Sequence, residues 1–179
     1  GLPEAFKQNY KVADNKYEIP IINATNESVM SNASDESTRK AYYLKFVNRA
    51  ADKNLIILDS LVKKRDELAK LMGYPTYAAF NLVPKMAKDP KTVWKFINDL
   101  VSLSKGKAKA DIKQLLIEKK KDFKDEKKIT LNTWDIPYYK NQILKNQYQV
   151  NKEELRAFQP MEQCLKGMFD IYQQLLGLE

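Results

Sequence analysis

The stretch Asn54-Leu-Ile-Ile-Leu-Asp-Ser-Leu-Val-Lys-Lys-Arg-Asp-Glu-Leu-Ala-Lys-Leu-Met-Gly-Tyr-Pro75 decides the fold. Leu55, Leu58, Leu61, Val62, Leu68, Ala69 and Met72 recur at helical spacing and share one side of a helix. Gly73 supplies the C′ residue that ends such a helix, and Pro75 prevents its resumption. The same grammar runs outward in both directions. Upstream, Ser34 is the expected N-cap of a helix reaching about Ala51, with Asp35 and Glu36 in its first turn. Ser37 stands at N3, so the capping box is incomplete. Downstream, a short helix fits Thr76 to Leu82.

Asp89 then caps a long helix with Pro90 at its first position. Val93, Phe96, Ile97, Leu100, Val101 and Leu103 form its stripe, Gly106 is expected to bend or break it, and Ile112, Leu115 and Leu116 continue it. Thr133 is the expected cap of a helix ending near Gln147, with Pro137 in the first turn. Asn151 with Glu154 at N3 marks a short helix. Pro160 opens the last one, where Met161, Leu165, Met168, Phe169, Tyr172, Leu175 and Leu176 line a broad face ending at Gly177. No fixed-period repeat is present. The reading is an all-α, bundle-like scaffold of six or seven helices spanning residues 34–179. Residues 1–33 are expected to be irregular or extended, because Pro20 limits the β-prone Tyr17-to-Ile22 run to an edge strand.

Composition narrows the chemistry. The 179 residues are 44% hydrophobic and 30% charged, a globular balance. There is no histidine, which removes Ser-His and Cys-His catalysis, imidazole acid-base work and all-His zinc sites. The single Cys164 excludes an internal disulfide and a multi-Cys metal site; on an apolar helix face it reads as a buried, inert thiol. A reducing cytosol would suit such a chain, and a cytoplasmic location is expected. The chain opens Gly1-Leu-Pro-Glu4 with neither an initiator Met nor an apolar leader, and is read as an excised piece or a tag remnant. No run approaches the roughly 20 apolar residues of a membrane span.

The net charge is +8, and ten Lys against five acids fall between Lys105 and Lys128. Only Phe123 is aromatic there and no Arg is present, so the segment reads as a solvated helix face and loop, not as a nucleic-acid footprint. Neither a nucleic-acid nor a membrane partner is expected. The sequons at Asn23, Asn26 and Asn32 read as polar loop composition. The acidic pairs Asp35/Glu36, Asp125/Glu126 and Glu153/Glu154 read as caps and solvated charge. Tyr42, Tyr43, Trp134, Tyr138 and Tyr139 read as core aromatics.

Several of these segments also resemble a known family. Arg65-Asp-Glu-Leu-Ala-Lys-Leu-Met-Gly-Tyr-Pro-Thr-Tyr-Ala-Ala-Phe80 is similar to the "LR-x-E-x-A-x-LLGY-x-x-(Y/H)-A-x-F" stretch of the thimet oligopeptidase/neurolysin family of zinc metallopeptidases, the M3 peptidases. Ser37-Thr-Arg-Lys-Ala-Tyr-Tyr43 resembles its "ETR" helix, and Asn54-Leu-Ile-Ile-Leu58 its "N-x-x-IL" helix. Met86-Ala-Lys-Asp-Pro90 resembles its "MA-x-x-P" turn, and Trp134-Asp-Ile-Pro-Tyr-Tyr139 its "WD-x-x-YY" motif. The segment from Val150 through Leu178 resembles the approach to its catalytic domain. Phe158-Gln-Pro160 departs from the usual Tyr-Phe-Pro, and residues 107–128 have no clear counterpart.

The resemblance implies a parent enzyme that hydrolyses short peptides with zinc held by a His-Glu-x-x-His helix. That motif is absent, so no catalytic, cofactor-binding or metal residue is assigned here. The expected role is a non-catalytic part of the scaffold that walls the substrate channel, with the missing catalytic domain as its partner and no peptidase activity of its own. A stand-alone helical interaction domain is the alternative. An excised scaffold should also leave an apolar helix face bare, above all on Pro160–Leu176.

Overall fold

The computed structural model describes residues 1–13, 16–123, 129–151, 154–155 and 158–178. Among these it is mostly helical, with eight helices and one hairpin. After α1 (Glu4–Asn9), the short strands β1 (Lys11–Ala13) and β2 (Lys16–Tyr17) pair antiparallel, with Lys11 opposite Tyr17. Then come α2 (Asn23–Asn32), α3 (Glu36–Val47), α4 (Ala51–Leu71), α5 (Tyr77–Leu82), α6 (Pro90–Lys120), α7 (Ile136–Gln147) and α8 (Met161–Leu176).

The local signals explain most boundaries. Thr76 and Asp89 cap α5 and α6 by accepting the backbone N–H groups of Ala79 and Thr92. Gly73 at φ 79° and Gly177 at φ 62° adopt the left-handed conformation at the ends of α4 and α8. Two starts lie slightly later than expected. Asp35, not Ser34, caps α3: its carboxylate accepts from the Thr38 N–H at 2.7 Å and from both the Ser37 and Thr38 hydroxyls. The Ser34 carbonyl instead accepts from Arg39 at 2.9 Å. Likewise α7 begins after Asp135, not after Thr133. Gly106 does not break α6, which runs through it for 31 residues, about 46 Å at 1.5 Å per residue.

The larger correction concerns the first 33 residues. They hold α2, whose Thr25, Val29 and Met30 are buried. Thr25 sets the start of α2: its hydroxyl donates to the Pro20 carbonyl and accepts from the Tyr42 hydroxyl at 2.8 Å. Val29, Met30, Ala33 and Tyr42 form a small core, flanked by Leu2, Phe6, Ile19, Ile21, Tyr43, Phe46 and Trp134. The N-terminal segment is thus part of the packed body.

That body consists of α2 against α3 and α7, with the C-terminal part of α6 against α7. A second group packs α4 against α5 and α5 against α6. Leu55, Ile56, Ile57 and Leu58 in α4 are all more than half exposed, as are Trp94 and Phe96 in α6. Bare apolar surface therefore covers α4 and α6 as well as the expected α8. The short helix expected at Asn151 lies partly outside the described residues, although Asn151 does donate to Glu154 at 2.8 Å.

Candidate functional site: a buried charge node

Two of the segments that resemble family motifs, the ETR-like one and the WD-x-x-YY-like one, meet at one place. Arg39 of α3, Lys119 of α6 and Asp135 at the start of α7 are nearly or fully buried, with side-chain exposures of 1%, 4% and 0%. Arg39 donates to Asp135 Oδ1 at 2.9 Å; Lys119 Nζ donates to Oδ2 at 2.7 Å, and the Asn132 N–H to the same oxygen at 2.9 Å. Lys119 also pairs with Glu36 at 3.0 Å. The other Glu36 oxygen accepts from the Asn132 amide at 3.2 Å and the Trp134 indole at 3.1 Å.

Aromatic rings close the node. The Arg39 guanidinium lies 4.3 Å from the Tyr138 ring centre, which favours its charge through the ring quadrupole. Tyr138 meets Tyr139 edge-on, and the Tyr139 hydroxyl donates to Asp122 at 3.1 Å. Arg39 also donates to the Ala33 carbonyl at 2.8 Å, fastening the end of α2. Beside the node, Glu118 is buried and accepts from Asn146 of α7 at 3.0 Å and from Lys121. Asn141 of α7 donates to the Ser31 carbonyl at 2.9 Å and to Asn32.

The electrostatics follow from this geometry. Burial pushes the Asp135 carboxyl up, but hydrogen bonds from Lys119, Arg39 and the Asn132 amide outweigh it, and Asp135 ends below the ordinary range. Burial likewise raises Glu36, and Lys119 and Trp134 bring it below its usual value. Exposed Asp35 falls to about 2, held by the Ser37 hydroxyl and the Thr38 hydroxyl and amide. Burial raises the Tyr139 hydroxyl well above the usual phenol range, with the Asp122 carboxylate adding to it. The Asp135 and Glu36 carboxylates are therefore favoured in their charged form and the Tyr139 hydroxyl as a donor.

This arrangement suits structure and not turnover. The oxygens of Asp135 and Glu36 are already engaged by cationic or N–H donors, and Arg39 and Lys119 are locked against carboxylates. These residues do not fit a zinc ion: the chain has no histidine, and the described residues contain no group of three His, Cys, Asp or Glu side chains placed to hold a metal. No step through zinc is derived from this chain.

The sequence-level candidates fall as follows. Tyr42 and Tyr139 are buried, and Trp134 packs 5.9 Å from Tyr43, as core aromatics should. Asp35 is a cap, whereas Glu36 belongs to the node; the Asp125/Glu126 pair lies outside the described residues, as does Glu153. Asn32 donates its side-chain amide to the Ser28 carbonyl, and its oxygen accepts from Asn141 and Lys145, while the Asn26 side-chain oxygen is buried. Cys164 is exposed, contrary to the buried thiol expected; none of the closely packed helix pairs among the described residues involves α8. Lys119 is the exception to the solvated lysine face. Its role was hidden in a lysine run and is visible only once α3 and α7 are in place.

The fold and node together define a helical scaffold unit whose polar residues are spent on holding helices. The chain belongs to peptidase family M3, whose pattern matches residues 29–179. It is 38% identical over 157 residues to saccharolysin of Saccharomyces cerevisiae, which spans 84% of this chain but 22% of the relative. Oligopeptidase A of Escherichia coli is 27% identical over 158 residues, 84% of this chain and 23% of the relative. A probable thimet oligopeptidase of Arabidopsis thaliana is 27% identical over 180 residues, covering this whole chain and 25% of the relative. The chain thus spans about a quarter of the length of these relatives.

Proposed function

We propose that this chain is a non-catalytic helical part of a zinc-dependent family M3 oligopeptidase. The parent hydrolyses short peptides, and these helices help wall its substrate channel. The observation that carries the reading is the node: the ETR-like residues and the WD-x-x-YY-like residues, far apart in sequence, fasten to one another instead of presenting reactive groups. Zinc and its ligands belong elsewhere in the parent. The catalytic part of the same polypeptide is the partner, and a cytoplasmic location, consistent with a lone free thiol, is part of the proposal.

Two measurements test it. The 179-residue chain alone is expected to bind no stoichiometric zinc by elemental analysis and to cleave no fluorogenic peptide. Saccharolysin carrying this chain in place of its own matched segment is expected to cleave such peptides and to lose that activity to a chelator. Stoichiometric zinc on the isolated chain, or a folded but inactive chimera, overturns the reading in favour of a stand-alone interaction domain.

A further inference from the structure

Helix α8 carries an apolar face wider than one neighbour covers. Met161, Leu165, Met168, Tyr172 and Leu175 follow alternating steps of four and three, the spacing of a seam between two helices. Phe169 and Ile171 flank that seam on opposite sides, where a two-helix pair carries polar residues. At 100° per residue the apolar arc spans about 160°, against the ~100° stripe of an ordinary surface helix. All seven residues are between 42% and 77% exposed, and none of the closely packed helix pairs among the described residues involves α8.

A second copy seated on the seam would leave both flanks in water. A helix apolar on its seam and on both flanks needs a neighbour on each side, as an interior helix of a larger helical protein has. The family pattern continues through α8, while the matched segment is only about a quarter of the relatives' length. We infer that the apolar face of α8 is the seat of further helices of a family M3 polypeptide, the joint through which this scaffold is fixed to the rest of the enzyme. This rests on the function proposed above.

The test uses the same saccharolysin chimera. Leu165→Asp and Phe169→Asp are expected to reduce its peptide hydrolysis more than tenfold and to lower its thermal midpoint. Gln163→Asp, on the opposite side of α8, changes neither. In the 179-residue chain alone the same two substitutions leave the urea midpoint unchanged, because α8 is in none of the closely packed helix pairs among the described residues; a lowered midpoint there counts against the inference. If the chimera is active and Leu165→Asp and Phe169→Asp keep its activity within twofold, the inference falls and the functional reading stands. A chimera that fails to fold or folds without activity, even before α8 is altered, counts against both. If the isolated chain sediments as a dimer that Phe169→Asp converts to monomer, the occupant is a second copy and the inference is overturned.

Discussion

Replacing Asp135 by asparagine is expected to remove a large share of the stability of this chain. The substitution keeps the volume and takes away the charge. Asp135 accepts three hydrogen bonds, two of them from the buried cations Arg39 and Lys119 at 2.9 and 2.7 Å. Hydrogen bonds to charged groups contribute about 1.5–3 kcal/mol each. Removing one partner of a buried pair costs about 3–5 kcal/mol, because the other charge is left uncompensated. Lys119 keeps Glu36 at 3.0 Å, but Arg39 keeps two backbone carbonyls and the Tyr138 and Tyr139 rings, none of them an anion. A loss of roughly 3–5 kcal/mol in a chain of this size lowers the thermal midpoint by about 6–20 °C. Urea unfolding followed by far-ultraviolet circular dichroism, alongside tryptophan fluorescence, measures it. A loss under about 1 kcal/mol would refute the argument that these charges are dry and mutually dependent. The joint change Arg39→Met, Lys119→Met and Asp135→Leu is the companion experiment. Apolar replacement of a whole buried ionic group is often neutral or stabilising, so it should recover much of what Asp135→Asn loses.

Acid should unfold the chain through the same groups. The carboxyls of Asp135 and Glu36 sit below their ordinary values when folded, so their contribution is present above about pH 4 and is lost as pH falls through their folded values. Asp135→Asn should flatten that acid limb in a pH series of urea midpoints. Gly106→Ala is expected to stabilise α6 by about 0.5–1 kcal/mol, since the helix runs straight through it and nothing lies within 4 Å of an added Cβ; unchanged urea stability would count against a continuous helix there. Tyr42→Phe should cost about 0.5–1.5 kcal/mol by removing the bond between the Tyr42 and Thr25 hydroxyls, while Thr25 keeps the Pro20 carbonyl, read by the same unfolding curve. Cys164 should react completely with a thiol reagent in the native chain, and protection until denaturant is added would show that α8 is covered.

What could be read from the amino acids was local. Asp89-Pro90, Thr76, Gly73 and Pro160 with Gly177 mark their helix ends by chemistry contained within a turn, and the structure places the ends there. Helix α2 was missed because its start is set by Thr25 reaching Tyr42, 17 residues away, and because Asn23–Asn32 has almost no apolar periodicity. Lys119 was missed because one lysine among ten is distinguished only by Glu36 and Asp135, at separations of 83 and 16 residues. Family resemblance identified Trp134, Asp135, Tyr138 and Tyr139 as a motif, yet their meaning, a fastening for Arg39 and Glu36, appears only in three dimensions. Cys164 was misread for the opposite reason: an apolar helix face implies a cover that the described residues do not supply.

The separation of the node's partners also shapes how the polypeptide is made. Arg39 and Asp135 are 96 residues apart, and Glu36 and Trp134 are 98 apart. At roughly 5–20 residues per second of translation, Arg39 is synthesised about 5–20 s before its counter-ion. Joining ends that far apart carries a loop-closure entropy of about 4 kcal/mol. The Leu55–Leu58 run of α4 emerges shortly after Arg39 and stays more than half exposed even in the completed chain, which makes the nascent polypeptide a natural client for a chaperone that holds apolar helices.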